Sequence, residues 1–199
     1  KILIMKKAIL LLLFVPLITF GQKFNVEEIS VTEGAKYLQG KSLKYEPVVV
    51  IEIEGTEKEL YQKCLNWINE TYKNPDEVIK GKIEGEYVRI NGSISSFYQM
   101  SALGSTSYYD SRYTLEFRFK ENKVRMEVTN IEFYIPSSQY STGEWLNAGF
   151  SFRIANRRGK ANKDGLAMSK RIPSYFEGLA IGLKDFSSKG IMKEIEDDW

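Results

Sequence analysis

Tyr109 to Phe119 constrains the fold more than any other part of this sequence. Tyr109, Tyr113, Leu115, Phe117 and Phe119 share one parity; Asp110, Arg112, Thr114, Glu116 and Arg118 share the other. A period of two over that length describes a strand with one buried and one wet face, as in an antiparallel sheet. Lys120 to Lys123 reads as the turn that follows, and Val124, Met126 and Val128 carry the inward face back. Apolar residues then shift to Ile131, Phe133 and Ile135. One extra residue explains such a slip, so the pattern predicts a bulge at Thr129-Asn130.

Other elements surround this pair. Pro47 to Glu54 reads as a strand with Val49, Ile51 and Ile53 on one face. Gly55 ends it, and Thr56-Glu57-Lys58-Glu59 matches a capping box. At 100° per residue, Leu60, Tyr61, Cys64, Trp67, Ile68 and Tyr72 form one apolar stripe, and Asn74-Pro75 stops that helix. Glu77 to Glu84 and Glu86 to Gly92 read as two strands with a tight turn at Glu84-Gly85. The serine-rich residues 93–107 predict a loop or a frayed strand extension.

Beyond Pro136 the pattern is lost until about Ser169. Helical spacing then returns at Ile172, Tyr175, Phe176, Leu179, Leu183 and Phe186, with Pro173 near the first turn. Gly178 and Gly182 in this helix offer close packing against the sheet, and 191–199 reads as a short acidic end. Residues 22–46 show little periodicity and read as a polar lead-in. Residues 47–199 are expected to form a single α+β domain with a basic insertion at 136–168.

The first residues predict export. Lys6 and Lys7 precede the apolar run Ala8 to Phe20, which suits a signal peptide and is short for a membrane span of roughly 20 residues. Thr19 and Gly21 place cleavage after residue 21, so no transmembrane span is expected in the mature chain. The expected location is the periplasm or cell envelope. The precursor carries 28 Lys+Arg and 26 Asp+Glu, and the signal holds Lys1, Lys6 and Lys7 and no acid. The mature chain is therefore near −1, which with export argues against nucleic acid as partner.

The chain has no histidine and one cysteine. A Ser-His-Asp triad, a Cys-His pair and His-ligated metals are thereby excluded. Cys64 lies on the buried stripe and reads as a small core hydrophobe. The sequence holds no GxSxG, Walker A, Rossmann or calcium-loop motif. No catalytic residue, metal ligand or cofactor is assigned.

The strand Val48 to Glu54, the run Thr56-Glu57-Lys58-Glu59-Leu60-Tyr61 and the segment Leu65-Asn66-Trp67-Ile68 carry a resemblance. So do Ile90-Asn91-Gly92, Tyr113-Thr114-Leu115 and Val124-Arg125-Met126. Together with the signal peptide, this stretch from Val48 to about Tyr134 resembles an exported Bacteroidota family described as a domain of unknown function with TBP-like fold. The resemblance implies the order strand, helix, four antiparallel strands, helix, with both helices on one sheet face. It brings no catalytic residues. Fold does not decide function, so the TBP-like shape by itself implies no DNA binding.

One surface feature stands out. Arg153, Arg157, Arg158, Lys160, Lys163, Lys170 and Arg171 enclose a single acid, Asp164. Arg153, Arg157, Arg158, Lys160 and Lys163 are candidate contacts for an anionic partner; the bland alternative is a solvated loop. Asp110, Arg112, Glu116 and Arg118, facing Arg125 and Glu127, read as cross-strand salt bridges on a wet face. Phe97, Tyr98, Tyr108, Tyr109, Tyr140 and Trp145 read first as packing groups and second as a ligand platform.

The expected function is an exported, non-enzymatic binding or envelope-associated module for a protein, glycan or anionic envelope component. Two alternatives stand beside it. One is a histidine-independent carboxylate hydrolase, which a cleft with unpaired carboxylates would favour. The other is an assembly partner of an outer-membrane complex.

Overall fold

A computed structural model describes residues 23–32, 39–138 and 142–196. The expected signal peptide, Tyr140 and residues 197–199 lie outside the described residues. The alternating pair forms as expected: β6 (Ser105–Lys120) and β7 (Lys123–Ile135) run antiparallel, turning at Asn122. Thr114 faces Asn130 and Leu115 faces Val128, so Thr129 is the extra residue of the predicted bulge. β3 (Val48–Glu52) pairs with the first half of β7. β8 (Glu144–Asn147) pairs with its second half, at Glu132 to Ile135. On the other side lie β5 (Tyr87–Ala102) and the edge strand β4 (Ile79–Ile83), giving the order β3-β7-β6-β5-β4.

The capped helix α1 (Glu57–Thr71) follows β3. Thr56 Oγ1 accepts from Glu59 N–H at 3.3 Å, and Glu59 Oε2 accepts from Thr56 N–H at 2.7 Å. The β6–β7 turn docks on this start: Asn122 Oδ1 accepts from Gly55 N–H at 3.1 Å. Leu60, Tyr61, Cys64, Trp67 and Ile68 are buried, as the stripe requires. They meet one sheet face, with Trp67 edge-on to Phe117 at 6.0 Å and Tyr61 edge-on to Phe119 at 5.7 Å.

The long helix α3 (Lys163–Glu196) covers the rest of that face through Met168, Ile172, Phe176, Ala180 and Leu183. Both helices thus lie on one sheet face, as the TBP-like resemblance implies. Tyr113 ties them to β6: its hydroxyl lies 3.0 Å from that of Tyr72 and 3.3 Å from that of Tyr175. Burial pushes the Tyr113 and Tyr72 hydroxyls well above the ordinary phenol range, so these two stay neutral. The Tyr113 ring lies over Gly92 on β5, where an added Cβ would come within 2.2 Å of it.

Several expectations are corrected. Residues 22–46 are more than a lead-in: β1 (Val26–Val31) and β2 (Gly40–Tyr45) form a second sheet with β9 (Ser151–Asn156), in the order β1-β2-β9. Their alternation is weak because the sheet is small, and β9 is far away in sequence. The second sheet joins the core through Phe24, Phe152 and the half-buried Tyr45. The order after β7 therefore gains two strands before the last helix.

Glu77 and Val78 belong to one helical turn, α2 (Pro75–Val78), because Pro75 at its start presets the backbone and Asp76 and Glu77 suit that end. An irregularity between Ile79 and Gly81 puts Ile79 against the core and leaves Ile83 56% exposed.

The last helix starts about nine residues before Ile172. Asn162 Oδ1 accepts from Gly165 N–H at 3.2 Å, which caps it. Pro173 therefore sits inside the helix, and the buried row around it outweighs a penalty of about 3 kcal/mol. Gly165, and neither Gly178 nor Gly182, is the close-approach glycine. A Cβ there would lie 1.8 Å from the Arg153 carbonyl oxygen of β9; one at Gly182 would sit 3.6 Å from Trp67 of α1, and one at Gly178 would meet nothing. The expected acidic end continues the same helix to Glu196.

Candidate functional site

Three surfaces were candidates. The first is the sheet face turned away from the helices. Arg89 donates to Glu116 Oε1 through Nε and Nη2 at 3.0 and 2.7 Å, and Arg118 approaches Glu116 Oε2 at 3.8 Å. Partial burial pushes the Glu116 carboxyl up. Hydrogen bonds from Arg89 and Tyr87 and the Arg118 charge outweigh this and hold it below its ordinary range. Arg112 pairs with Glu132 at 2.5 Å and lies over Trp145 at 4.2 Å; Arg125 pairs with Glu127 at 2.6 Å. Each of these three carboxylates has a guanidinium partner, and Asp110 of the same face instead accepts from Ser96 N–H at 2.8 Å.

A depression of about 940 Å³ lies between the end of β3, the β6–β7 turn and α3. Glu52, Glu54 and Glu121 line it, and so do Lys123 and Lys184. The three carboxylates are solvent-exposed. A hydrolase needs a shielded pair whose proton affinities differ, and an open depression shared with two lysines does not provide one. Among the described residues there is no group of three or more Cys, Asp or Glu side chains placed to hold a metal ion. Cys64 is fully buried, and burial pushes its thiol far up, which suits a core hydrophobe.

The third surface is the basic stretch, which is not one loop. Arg153 lies half-buried on β9, opposite Ser42. Arg157, Arg158 and Lys160 are exposed on the connector to α3, and Lys163 opens the helix. Asn156 shapes this connector: its Oδ1 accepts from Arg158 N–H at 2.9 Å and from Lys160 N–H at 3.0 Å. Ala155 bridges to Ala161, closing the turn. None of the five basic side chains pairs with an acid among the described residues. Arg157, Arg158, Lys160 and Lys163 are thus brought together on a short, shaped connector, and Arg153 stands apart on the strand.

The helix that this connector leads into holds a feature that the sequence reading showed only in part. Of the loop and the frayed strand extension expected for residues 93–107, the strand extension holds in paired form: β5 and β6 continue as a two-stranded arm to the pair Ala102 and Ser105. A register shift between Ile94 and Tyr98 bends the arm, with Ser96 in the left-handed region at φ 52°. Three side chains of α3 hold the edge of β5. Asp164 Oδ2 accepts from Ser101 N–H at 2.8 Å, Met168 Sδ from Gln99 N–H at 3.3 Å, and Arg171 Nη1 donates to the Phe97 carbonyl at 2.9 Å. Positions 164, 168 and 171 share one helix face, and 101, 99 and 97 share one strand edge. The helix thereby satisfies a strand edge that would otherwise be open.

Asp164 also accepts from Ser101 Oγ at 2.8 Å and Gln99 Nε2 at 3.0 Å. Partial burial pushes its carboxyl up; the Ser101 and Gln99 hydrogen bonds together outweigh this and hold it below its ordinary range. The one acid of the basic stretch is therefore committed to the arm.

The aromatic residues do not form a platform. Phe97 is buried edge-on to Tyr175 at 5.4 Å, Tyr98 stacks on Phe133 at 3.9 Å, and Tyr109 tilts toward the same ring at 6.3 Å. Trp145 leans on Tyr134 at 5.2 Å. Tyr108 is half exposed beneath Arg171, 5.3 Å away. The signals that point to the arm were a Leu-Gly pair between serine-rich runs and the lack of charge on either side of it.

No helix among the described residues is long and apolar enough to cross a membrane. Among curated proteins none is significantly similar to the chain. A crystal structure of a DUF4468 family protein from Bacteroides ovatus ATCC 8483 superposes with a TM-score of 0.53 at 16% identity, covering 72% of this chain and 86% of that one. A crystal structure of a TBP-like protein from Parabacteroides distasonis ATCC 8503 gives 0.50 at 16% identity, covering 71% and 90%. At that identity the likeness concerns the fold. Residues 48–134 match the family described as Domain of unknown function (DUF4468) with TBP-like fold, and they carry the strand, helix and antiparallel strands on which that resemblance rests.

Proposed function

We propose that this chain is an exported, non-enzymatic binding module that contacts an anionic envelope component through Arg157, Arg158, Lys160 and Lys163, with Arg153 behind them. The carrying observation is an imbalance. On the open sheet face Glu116, Glu127 and Glu132 have arginine partners, whereas the connector's basic side chains pair with no acid among the described residues. Unneutralised charge held on a shaped turn sets up a positive local potential on a chain whose mature net charge is near zero. Export rests on the apolar run Ala8 to Phe20 behind Lys6 and Lys7.

The test is salt-dependent retention on immobilised polyphosphate. Wild type elutes later than a variant carrying Arg157→Gln, Arg158→Gln, Lys160→Gln and Lys163→Gln. Equal elution of the two would overturn the reading.

A further inference from the structure

The arm is chemically unusual. The twenty residues from Ile90 to Tyr109 contain no Asp, Glu, Lys or Arg, in a chain that is 27% charged. At the tip, Leu103 and Gly104 both have positive φ, 50° and 82°, as in a type I′ turn. Asn-Gly is the favoured pair for that turn, because a branched aliphatic residue is strained there. Leu103 is nevertheless the residue present, and its side chain is 107% exposed. Backbone strain and an unburied leucine thus fall on one residue. Met100 and Tyr108, on the two strands behind it, are 39% and 51% exposed.

The arm is clasped by the start of α3, the helix that the basic connector leads into. Ser101, two residues from Leu103, donates its N–H and hydroxyl to the Asp164 carboxylate, and Lys163 precedes Asp164 in the chain. Arg171, two turns further along, lies over Tyr108. An uncharged tip ending in an exposed leucine is therefore held close to Lys163 and Arg171, and Asp164, between them in the chain, is already hydrogen-bonded.

We propose that the arm is a wedge that enters the interfacial layer of an anionic lipid bilayer, while Arg157, Arg158, Lys160 and Lys163 meet the lipid phosphates. This rests on the anionic-contact reading above and names the partner. An acidic protein would satisfy the basic side chains and leave the charge-free arm and the extruded leucine without a use. A bilayer surface supplies both halves: phosphate at the level of the connector and hydrocarbon at the level of the tip. The arm's backbone suits that setting. Met100 pairs with Ser107, Ser101 with Thr106 and Ala102 with Ser105, so the ladder satisfies the arm's inward backbone groups and leaves its outer edges to the polar headgroup layer.

The experiment is co-sedimentation of the mature chain, beginning at Gln22, with vesicles. One set is phosphatidylglycerol in phosphatidylcholine, the other pure phosphatidylcholine, and polyglutamate serves as a soluble acidic polymer. Leu103→Gly is the diagnostic variant, because glycine takes a positive φ freely and the turn keeps its fold. Thermal unfolding confirms that each variant is folded.

The expected result is binding to the anionic vesicles only, a partition coefficient about tenfold lower or more for Leu103→Gly, and about fivefold lower for each charge removed. If Leu103→Gly binds like wild type while the four-glutamine variant does not, the wedge is overturned and the anionic contact survives. If both variants bind like wild type, both are overturned. If wild type binds polyglutamate and ignores anionic vesicles, the partner is an acidic protein surface and the lipid inference fails.

Discussion

The body of the sheet and the hairpin arm are built from the same two strands, β5 and β6, yet different forces hold them. In the body, Val88, Ile90, Tyr113, Leu115 and Phe117 are buried under α1 and α3. In the arm beyond Ile94, only Phe97 is fully buried; the edge is fixed by three directional contacts from Asp164, Met168 and Arg171. Burial is non-directional and cumulative, so the body tolerates the loss of one polar contact. A clasp of a few hydrogen bonds is specific and local, and it can loosen without unfolding the rest. The lesson is that the arm can act as a separate functional device on a stable platform.

The largest break in this contrast is in the body. Phe117→Ala empties a fully buried site and is expected to cost about 3–5 kcal/mol in urea unfolding. Next comes the seat of α3 on the second sheet. Gly165→Ala forces a Cβ to within 1.8 Å of the Arg153 carbonyl and is expected to cost about 3 kcal/mol, since backbone must move. A value below about 0.5 kcal/mol would show that the helix start is free to shift.

Asp164→Ala attacks the clasp. It is expected to cost about 1–3 kcal/mol and to raise amide exchange at Gln99 and Ser101 while exchange at Leu115 stays unchanged. A uniform rise in both would mean that arm and body are one cooperative unit. The same clasp predicts a pH effect. A carboxyl held below its ordinary range contributes stability that is present above its unfolded value of 3.8 and is lost as pH falls through the lower folded value. Arm protection should therefore drop on acidification below about pH 4, and Asp164→Asn should remove that dependence. The smallest effect belongs to the outer face: Glu116→Gln should change stability by less than about 1 kcal/mol, because the pair is partly solvated and surface ion pairs contribute little.

The body was legible in the sequence for a physical reason. Its strands are half-buried, so period two appears directly in Tyr113, Leu115, Phe117 and Phe119, and even the Thr129 bulge shows as a slip in parity. The capping box announced α1 in the same way. The arm was legible only as one of two options, because its edge is satisfied by side chains more than sixty residues away and its faces carry serine where alternation would be seen. The start of α3 was hidden twice, by basic residues that read as loop and by Pro173, which reads as a first-turn residue. Asn162 followed by Asp164 was the available signal for that start. Of the candidate site, Arg157, Arg158, Lys160 and Lys163 were visible as charge alone. The link between the Leu103 turn and the start of α3 was not, because the Ser101–Asp164 contact spans 63 residues.

The most direct test of the central claim is amide hydrogen exchange of the chain from Gln22 onward with and without phosphatidylglycerol vesicles. The account predicts slower exchange at Leu103 to Ser105 and at Arg157 to Lys163, with no change at Arg89, Glu116 and Arg125 on the open sheet face. Slower exchange on that sheet face, with the tip and connector unchanged, would contradict it.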